Sequence, residues 1–194
     1  AWAKKPNVLF IISDDLTYTA LSCYGNHVCQ TPNIDKLAAT GVRFTQAYAH
    51  TVCCPARAAL MTGRHPQRGG VRHWTQGDMN SAKGINMALE EVTLAEALKP
   101  AGYRTALFGK WHLGRDGYTP LEHGFDSDLP HWHGPGPKTS YLAPWGYENP
   151  NFAEGEPGEH IEDRMAKEAV NWLKNRDRNN PFFLNYWQFS VHAP

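Results

Sequence analysis

Three apolar runs, each ending abruptly in charged or polar residues, constrain the fold of this chain more than any other feature. Asn7-Val8-Leu9-Phe10-Ile11-Ile12-Ser13 runs into Asp14-Asp15. Tyr103 to Gly109 runs into Lys110-Trp111-His112, and Pro181 to Ser190 runs into Val191-His192. The first run is continuous and lacks polar alternation, as expected of a strand buried on both faces of a parallel sheet; the other two read as further buried strands. Helical patterns separate them. Strands alternating with helices specify an α/β architecture, and in an open parallel sheet ligands collect beyond the carboxyl ends of the strands. The Asp14/Asp15, Lys110/His112 and His192 clusters therefore fall on one edge of the sheet.

The helices are marked by their ends. Thr31 reads as a cap with Pro32 in the first turn, Ile34, Leu37 and Ala38 form an apolar stripe, and Gly41 is the stop. Val42 to Tyr48 then reads as a strand leading to Cys53. In Val52-Cys53-Cys54-Pro55-Ala56-Arg57-Ala58-Ala59-Leu60-Met61-Thr62-Gly63-Arg64, Pro55 suits a first helical turn and Gly63 a left-handed stop. Cys53 is thereby set at or just before a helix N-terminus, where backbone N–H groups favour negative charge, and Arg57 lies one turn on. Thr93-Leu94-Ala95-Glu96 is a capping box opening a helix to about Lys99, closed by Pro100 and Gly102. Ile161 to Asn175 reads as a helix with Ile161, Met165, Ala169, Trp172 and Leu173 on one face.

Two stretches lack period. Residues 65–84 are polar and Gly-rich, and 117–158 are dense in Gly, Pro, His and aromatics. The second reads as a long loop over the site, with aromatic planes and polar tips suited to sugars. Its His131-Trp132-His133 alternation is compatible with a metal site but reads more simply as surface aromatic loop.

Charge and cysteine content narrow the function. Lys+Arg and Asp+Glu are equal at 19 each, so no net field points to nucleic acid or an anionic membrane. No apolar run approaches the roughly 20 residues that span a bilayer. Four cysteines, Cys23, Cys29, Cys53 and Cys54, are too few for a disulfide scaffold. Cys23 and Cys29 either close a small loop or stay free. Adjacent carboxylates after a buried strand are costly unless a cation or water meets them, and oxygen donors suit Ca2+ or Mg2+. Asn-x-Ser/Thr is absent from the sequence.

Cys53-Cys54-Pro55-Ala56-Arg57 followed by Leu60-Met61-Thr62-Gly63-Arg64 resembles the signature of the formylglycine-dependent (type I, arylsulfatase-like) sulfatases, with Ala56 where that family usually has Ser. Gly109-Lys110-Trp111-His112-Leu113-Gly114 is similar to their second signature. Asp14-Asp15 matches the acidic pair after their first strand, and His192 matches their third active-site element. The resemblance implies an alkaline-phosphatase-like sandwich, its central, mostly parallel sheet flanked by helices. Residues 1–194 would be the N-terminal portion of one catalytic domain, whose remainder supplies an Asp-Asn pair and another Lys.

By the same resemblance, a formylglycine-generating enzyme converts Cys53, not Cys54, to an aldehyde that is hydrated at rest. Asp14, Asp15 and the modified Cys53 hold Ca2+, or Mg2+, and Lys110 neutralises sulfate oxygens. One hydroxyl of the hydrate attacks sulfur, and His192 protonates the departing alcohol or binds sulfate. His112 deprotonates the second hydroxyl to expel sulfate, while Arg57 holds the assembly. The implied substrate is a sulfated small molecule or glycan, and the expected location is periplasmic or secreted rather than lysosomal. Two alternatives keep the same residues: a phosphonate or phosphate ester hydrolase, and a sulfated-glycan binding protein with an unmodified Cys53.

Overall fold

The computed structural model describes residues 4–73 and 86–193. The part of the polar stretch from 74 to 84 lies outside the described residues. The elements are β1 (Val8–Ile12), α1 (Pro32–Thr40), α2 (Cys53–Thr62), α3 (Leu94–Leu98), β2 (Arg104–Gly109), β3 (Ser127–Leu129), α4 (Ile161–Asn175) and β4 (Phe182–Trp187), with short 3-10 turns at 18–20, 22–24 and 99–101. The four strands form one sheet in the order β1-β4-β2-β3, every pairing parallel.

Alternation along the strands sorts their side chains onto two faces. Leu107 of β2 and Phe183 and Trp187 of β4 pack with Cys54, Ala58 and Met61 of α2 and Ala95 of α3. Ala106, Phe108 and Leu184 point the other way, against Ala169, Trp172 and Leu173 of α4. The face predicted for α4 is the face it buries.

β1 departs from the expected two-sided burial. Val8, Phe10 and Ile12 pack on the α2 side, but Leu9 and Ile11 are 51% and 54% exposed. A helix about 10 Å across covers two strands spaced about 4.8 Å apart, and α4 sits over β2 and β4, leaving the edge strand's outer face open.

The predicted strand at 42–48 is not formed. The segment is irregular and Val42, Phe44 and Tyr48 are exposed. Its apolar residues satisfy the pattern, yet no described strand lies beside it to complete the backbone pairing. In α1, Thr31 occupies the cap position without capping. Its hydroxyl bonds Ser22 and Asp35 instead. The stripe residues Ile34 and Leu37 are exposed.

The 117–158 stretch is more ordered than its composition suggests. It contributes β3, parallel to β2 through Ala106/Ser127 and Phe108/Leu129. Trp145, Tyr147 and Phe152 are buried with Ile161, Met165 and Phe189, so these aromatics hold the loop down. Strong long-range packing, which local period cannot report, fixes this segment.

One glycine decides how closely the strands can pack at the carboxyl edge of the sheet. At Gly109 φ is +110°, and an added Cβ would lie 1.9 Å from the Trp187 carbonyl oxygen. Gly109→Ala is expected to lower the stability of the complete protein by about 2 kcal/mol or more, from left-handed strain plus overpacking. The urea midpoint measures it; an unchanged midpoint would mean the backbone there yields freely.

Candidate active site

The ends of β1, β2 and β4 are tied to one another by backbone bonds. Gln188 N–H donates to Ile12 O at 2.9 Å, Lys110 N–H to Trp187 O at 2.7 Å, Asp14 N–H to Ser190 O at 2.7 Å, and Val191 N–H to Asp14 O at 2.6 Å. The three post-strand clusters are thus brought together as the α/β topology requires. Asp15 and His112 both adopt a left-handed backbone, with φ of 58°, which turns the chain sharply at the strand ends.

Asp14 is the electrostatic centre. It is buried, and one carboxylate oxygen accepts from Arg57 Nη2 at 3.1 Å while the other receives the Lys110 ammonium. Arg57 also donates through Nη1 to the Lys110 carbonyl at 2.8 Å, and its guanidinium lies 4.9 Å from the Trp187 ring centroid. A planar fork bonded at two points over an aromatic face is a role that a lysine cannot fill. Burial alone pushes the Arg57 pKa down, and Asp14 works against that push.

Cys53 opens α2, with Val52 as cap residue and Gly63 as the left-handed stop at φ of 66°. Its sulfur lies 3.2 Å from His112 Nδ1. A hydrogen bond from the Cys54 thiol pulls the Cys53 pKa far below the ordinary thiol range; burial opposes this, while His112 and Lys110 add to it. Cys54 is pushed up correspondingly, first by that bond and then by burial. His112 is lowered, chiefly by burial and secondarily by Lys110, with Cys53 opposing. A neutral imidazole beside an anion-favouring sulfur can take up a proton.

The direction of the Cys53 shift has a consequence for the unmatured protein. With its pKa lowered in this way, Cys53 is expected to react with iodoacetamide at a rate set by the intrinsic nucleophilicity of its thiolate and not by the thiolate fraction. The rate should be flat from pH 6 to pH 8. A rate rising tenfold per pH unit, followed by peptide mass spectrometry, would show an ordinary thiol.

A cleft of about 430 Å³ is lined by Asp14, Asp15, Val52, Cys53, Ala56 and Arg57 among others. The ligand atoms of Asp14, Asp15 and His192 lie within 4.8 Å of one another. Two carboxylates and an imidazole suit a hard divalent cation, so the residues present fit the implied ion in part. Cys53 does not join that group. It clusters with Cys54 and His112 instead, so the expected ligand set of Asp14, Asp15 and Cys53 is not assembled by these side chains alone.

The His131/His133 alternation joins neither of the two clusters of possible metal ligands found among the described residues. Cys23 and Cys29 are free thiols. Two supports of the site escape the sequence reading. Trp187 underlies Arg57, and Tyr141 donates its hydroxyl to the His192 carbonyl at 2.7 Å and to that of Phe189 at 3.0 Å. Trp187 lay inside an apolar run and Tyr141 inside an aperiodic one, so neither carried a signal.

The family model described as Sulfatase matches residues 6–194. Human steryl-sulfatase is 42% identical over 134 residues, covering 64% of this chain and 23% of that protein. The N-acetylglucosamine-6-O-sulfatase of Bacteroides thetaiotaomicron is 34% identical over 200 residues, 97% of this chain and 31% of that one. A solved structure in complex with its substrate D-glucosamine-2-N,6-O-disulfate superposes with a TM-score of 0.79 at 32% identity, covering 98% of this chain and 35% of the other. The phosphonate monoester hydrolase of Agrobacterium radiobacter superposes at 0.71 with 25% identity, covering 98% and 42%. The chain therefore spans about a quarter to a third of the length of these two curated relatives. The family match spans nearly the whole chain and the parallel sheet agrees with it, and the chain belongs to the sulfatase family.

Proposed function

We propose that the complete protein is a sulfatase that hydrolyses sulfate esters of a sulfated carbohydrate, with a nucleophile matured from Cys53 and a bound Ca2+ or Mg2+. The observation that carries this reading is the opening of Cys53 at the N-terminus of α2 into the cleft that Asp14, Asp15 and Arg57 also line. The present chain supplies the N-terminal portion of one catalytic domain, and further ligands come from the remainder. Asp14, Asp15 and His192 would hold the cation. When bound, the cation supplies positive charge against sulfate oxygens and the hydrated aldehyde supplies the attacking oxygen.

The chain's own residues do the rest. Lys110 places a fully buried ammonium beside Asp14, where low dielectric strengthens its pull on an anion. Arg57 holds Asp14 and the Lys110 backbone in register. His112, neutral through burial, takes a proton at Nδ1 from the group borne by residue 53. His192, whose backbone carbonyl accepts from Tyr141, is held beside the aspartate pair as the third group offered to the cation. A sugar ester as substrate is supported by the names of the relatives, which include the N-acetylglucosamine-6-O-sulfatase and human N-acetylgalactosamine-6-sulfatase.

A second reading, phosphonate or phosphate ester hydrolysis, is favoured by one observation, the likeness to the Agrobacterium hydrolase. The test is made on the complete protein co-expressed with a formylglycine-generating enzyme. Peptide mass spectrometry across residue 53 should find the aldehyde, and 4-nitrophenyl sulfate should turn over faster than the matching phosphate and phenylphosphonate esters. Faster phosphonate cleavage would transfer the assignment to the second reading. An intact thiol with no turnover would leave a sulfated-glycan binding protein.

A further inference from the structure

The fourth strand also ends in chemistry. β3 carries Asp128, whose side chain is 2% exposed and accepts from or shares a proton with His131 Nδ1 at 2.7 Å. Its other oxygen is buried with no hydrogen-bond partner, so this carboxylate is committed to His131 alone. His131 is itself 43% exposed and is held in a left-handed backbone, with φ of 65°. A buried carboxylate on Nδ1 leaves Nε2 directed away from it as the free face of the ring.

His131 lines a pocket of about 180 Å³ with Trp111, Gly114, Arg115, His133 and Lys138, and with the acids Asp116, Asp128 and Glu148. Trp111 and Gly114 belong to the loop that carries His112, and His133 feels the charges of Arg115 and His112, so the pocket adjoins the active edge. Its acids are poorly placed to cancel its cations. Arg115 meets Asp116 only at 4.0 Å, and Asp116 is 96% exposed; Lys138 meets Glu148 at 2.6 Å, but Glu148 is 91% exposed. Exposed pairs of this kind contribute little. Arg115 and Lys138 are themselves partly buried, and Lys138 lies 5.8 Å from the Trp132 ring centroid.

We propose that this pocket is a second anion subsite, in which His131, Arg115 and Lys138 receive a further sulfate group on the same glycan whose ester is cleaved at residue 53. The inference rests on the proposed sulfatase reading. Asp128 acts as a positioning residue, fixing the His131 ring, and its hydrogen bond also raises the proton affinity of that ring. Substrates with one sulfate fill only the catalytic cleft; those with two are held at both ends.

The test uses the complete, matured protein and compares kcat/KM for glucosamine-2-N,6-O-disulfate with that for N-acetylglucosamine-6-O-sulfate. The wild type is expected to prefer the disulfate by about tenfold or more, a loss that one charge-assisted contact accounts for. His131→Gln should bring that ratio close to one. Lys138→Gln, on the opposite wall, should reduce it also and serves if the first variant does not fold. No wild-type preference, or a preference unchanged in a folded variant, overturns the subsite. If neither sugar turns over, the proposed activity on these esters fails and calorimetry with the disulfate decides the subsite separately. Tenfold weaker binding in His131→Gln then upholds it, and equal or undetectable binding to both forms overturns it.

Discussion

Cys53→Ala in the complete, matured protein is expected to abolish sulfate ester hydrolysis, by roughly 10⁴-fold or more, the scale on which loss of a nucleophile acts. The fold should survive. Cys53 is the first residue of α2 and half-buried, its cap residue is Val52, and alanine is the best helix former for the vacated position. Circular dichroism and the urea midpoint should therefore stay near those of the wild type. Cys54→Ala separates the two adjacent thiols. Cys54 is buried against Ala58 and Met61, so its truncation should cost about 1 kcal/mol of stability while turnover persists. Full activity in Cys53→Ala, or its loss in Cys54→Ala alone, would move the chemistry off residue 53.

Asp14→Ala should be the most destabilising single change at the site. It strips the counter-charge from Arg57 and from Lys110, whose side chains are 3% and 0% exposed. Breaking a buried ion pair by removing one partner costs about 3–5 kcal/mol, because an uncompensated charge remains in low dielectric. Metal-free protein should lose that much in urea unfolding, and calorimetric Ca2+ affinity should fall as well. Asp15→Ala isolates the second effect. Asp15 is exposed and carries no ion pair among the described residues, so its loss should shift stability by no more than about 0.5 kcal/mol while still weakening Ca2+ binding. Unchanged Ca2+ affinity in both variants would remove the aspartate pair from the metal site.

The two aspartates show how one dipeptide divides its labour. Both carboxylates line the cleft and come within 4.8 Å of one another, yet Asp14 is buried and Asp15 is exposed. From the sequence they form a single acidic pair. Their different burial arises from Arg57 and Lys110, which arrive from positions 43 and 96 residues away.

Where local signals were strong, the reading and the structure coincide. The capping box at Thr93 and Glu96 is present with both of its bonds, α2 stops at Gly63, and α4 runs from Ile161 to Asn175 with Ile161, Met165 and Ala169 buried. Where the decisive partner is distant, they part. The 42–48 segment has strand-like residues but no neighbour, and β3 has only three residues, too short to show a period. The aromatics of 145–152 look like a sugar platform by composition and prove to be a small core of their own.

By itself the sequence determined the sheet's parallel character and the edge on which chemistry would gather. Apolar strands alternating with helices make a parallel sheet, and a parallel strand order points every carboxyl end the same way. Only the tertiary structure decided which groups meet: that Lys110 and Arg57 share Asp14, that Cys53 sits with His112, and that Asp128 backs His131. Such contacts depend on strand order and on the turn geometry after each strand, which are set by packing energies summed over the whole domain and leave no mark on the residues they join.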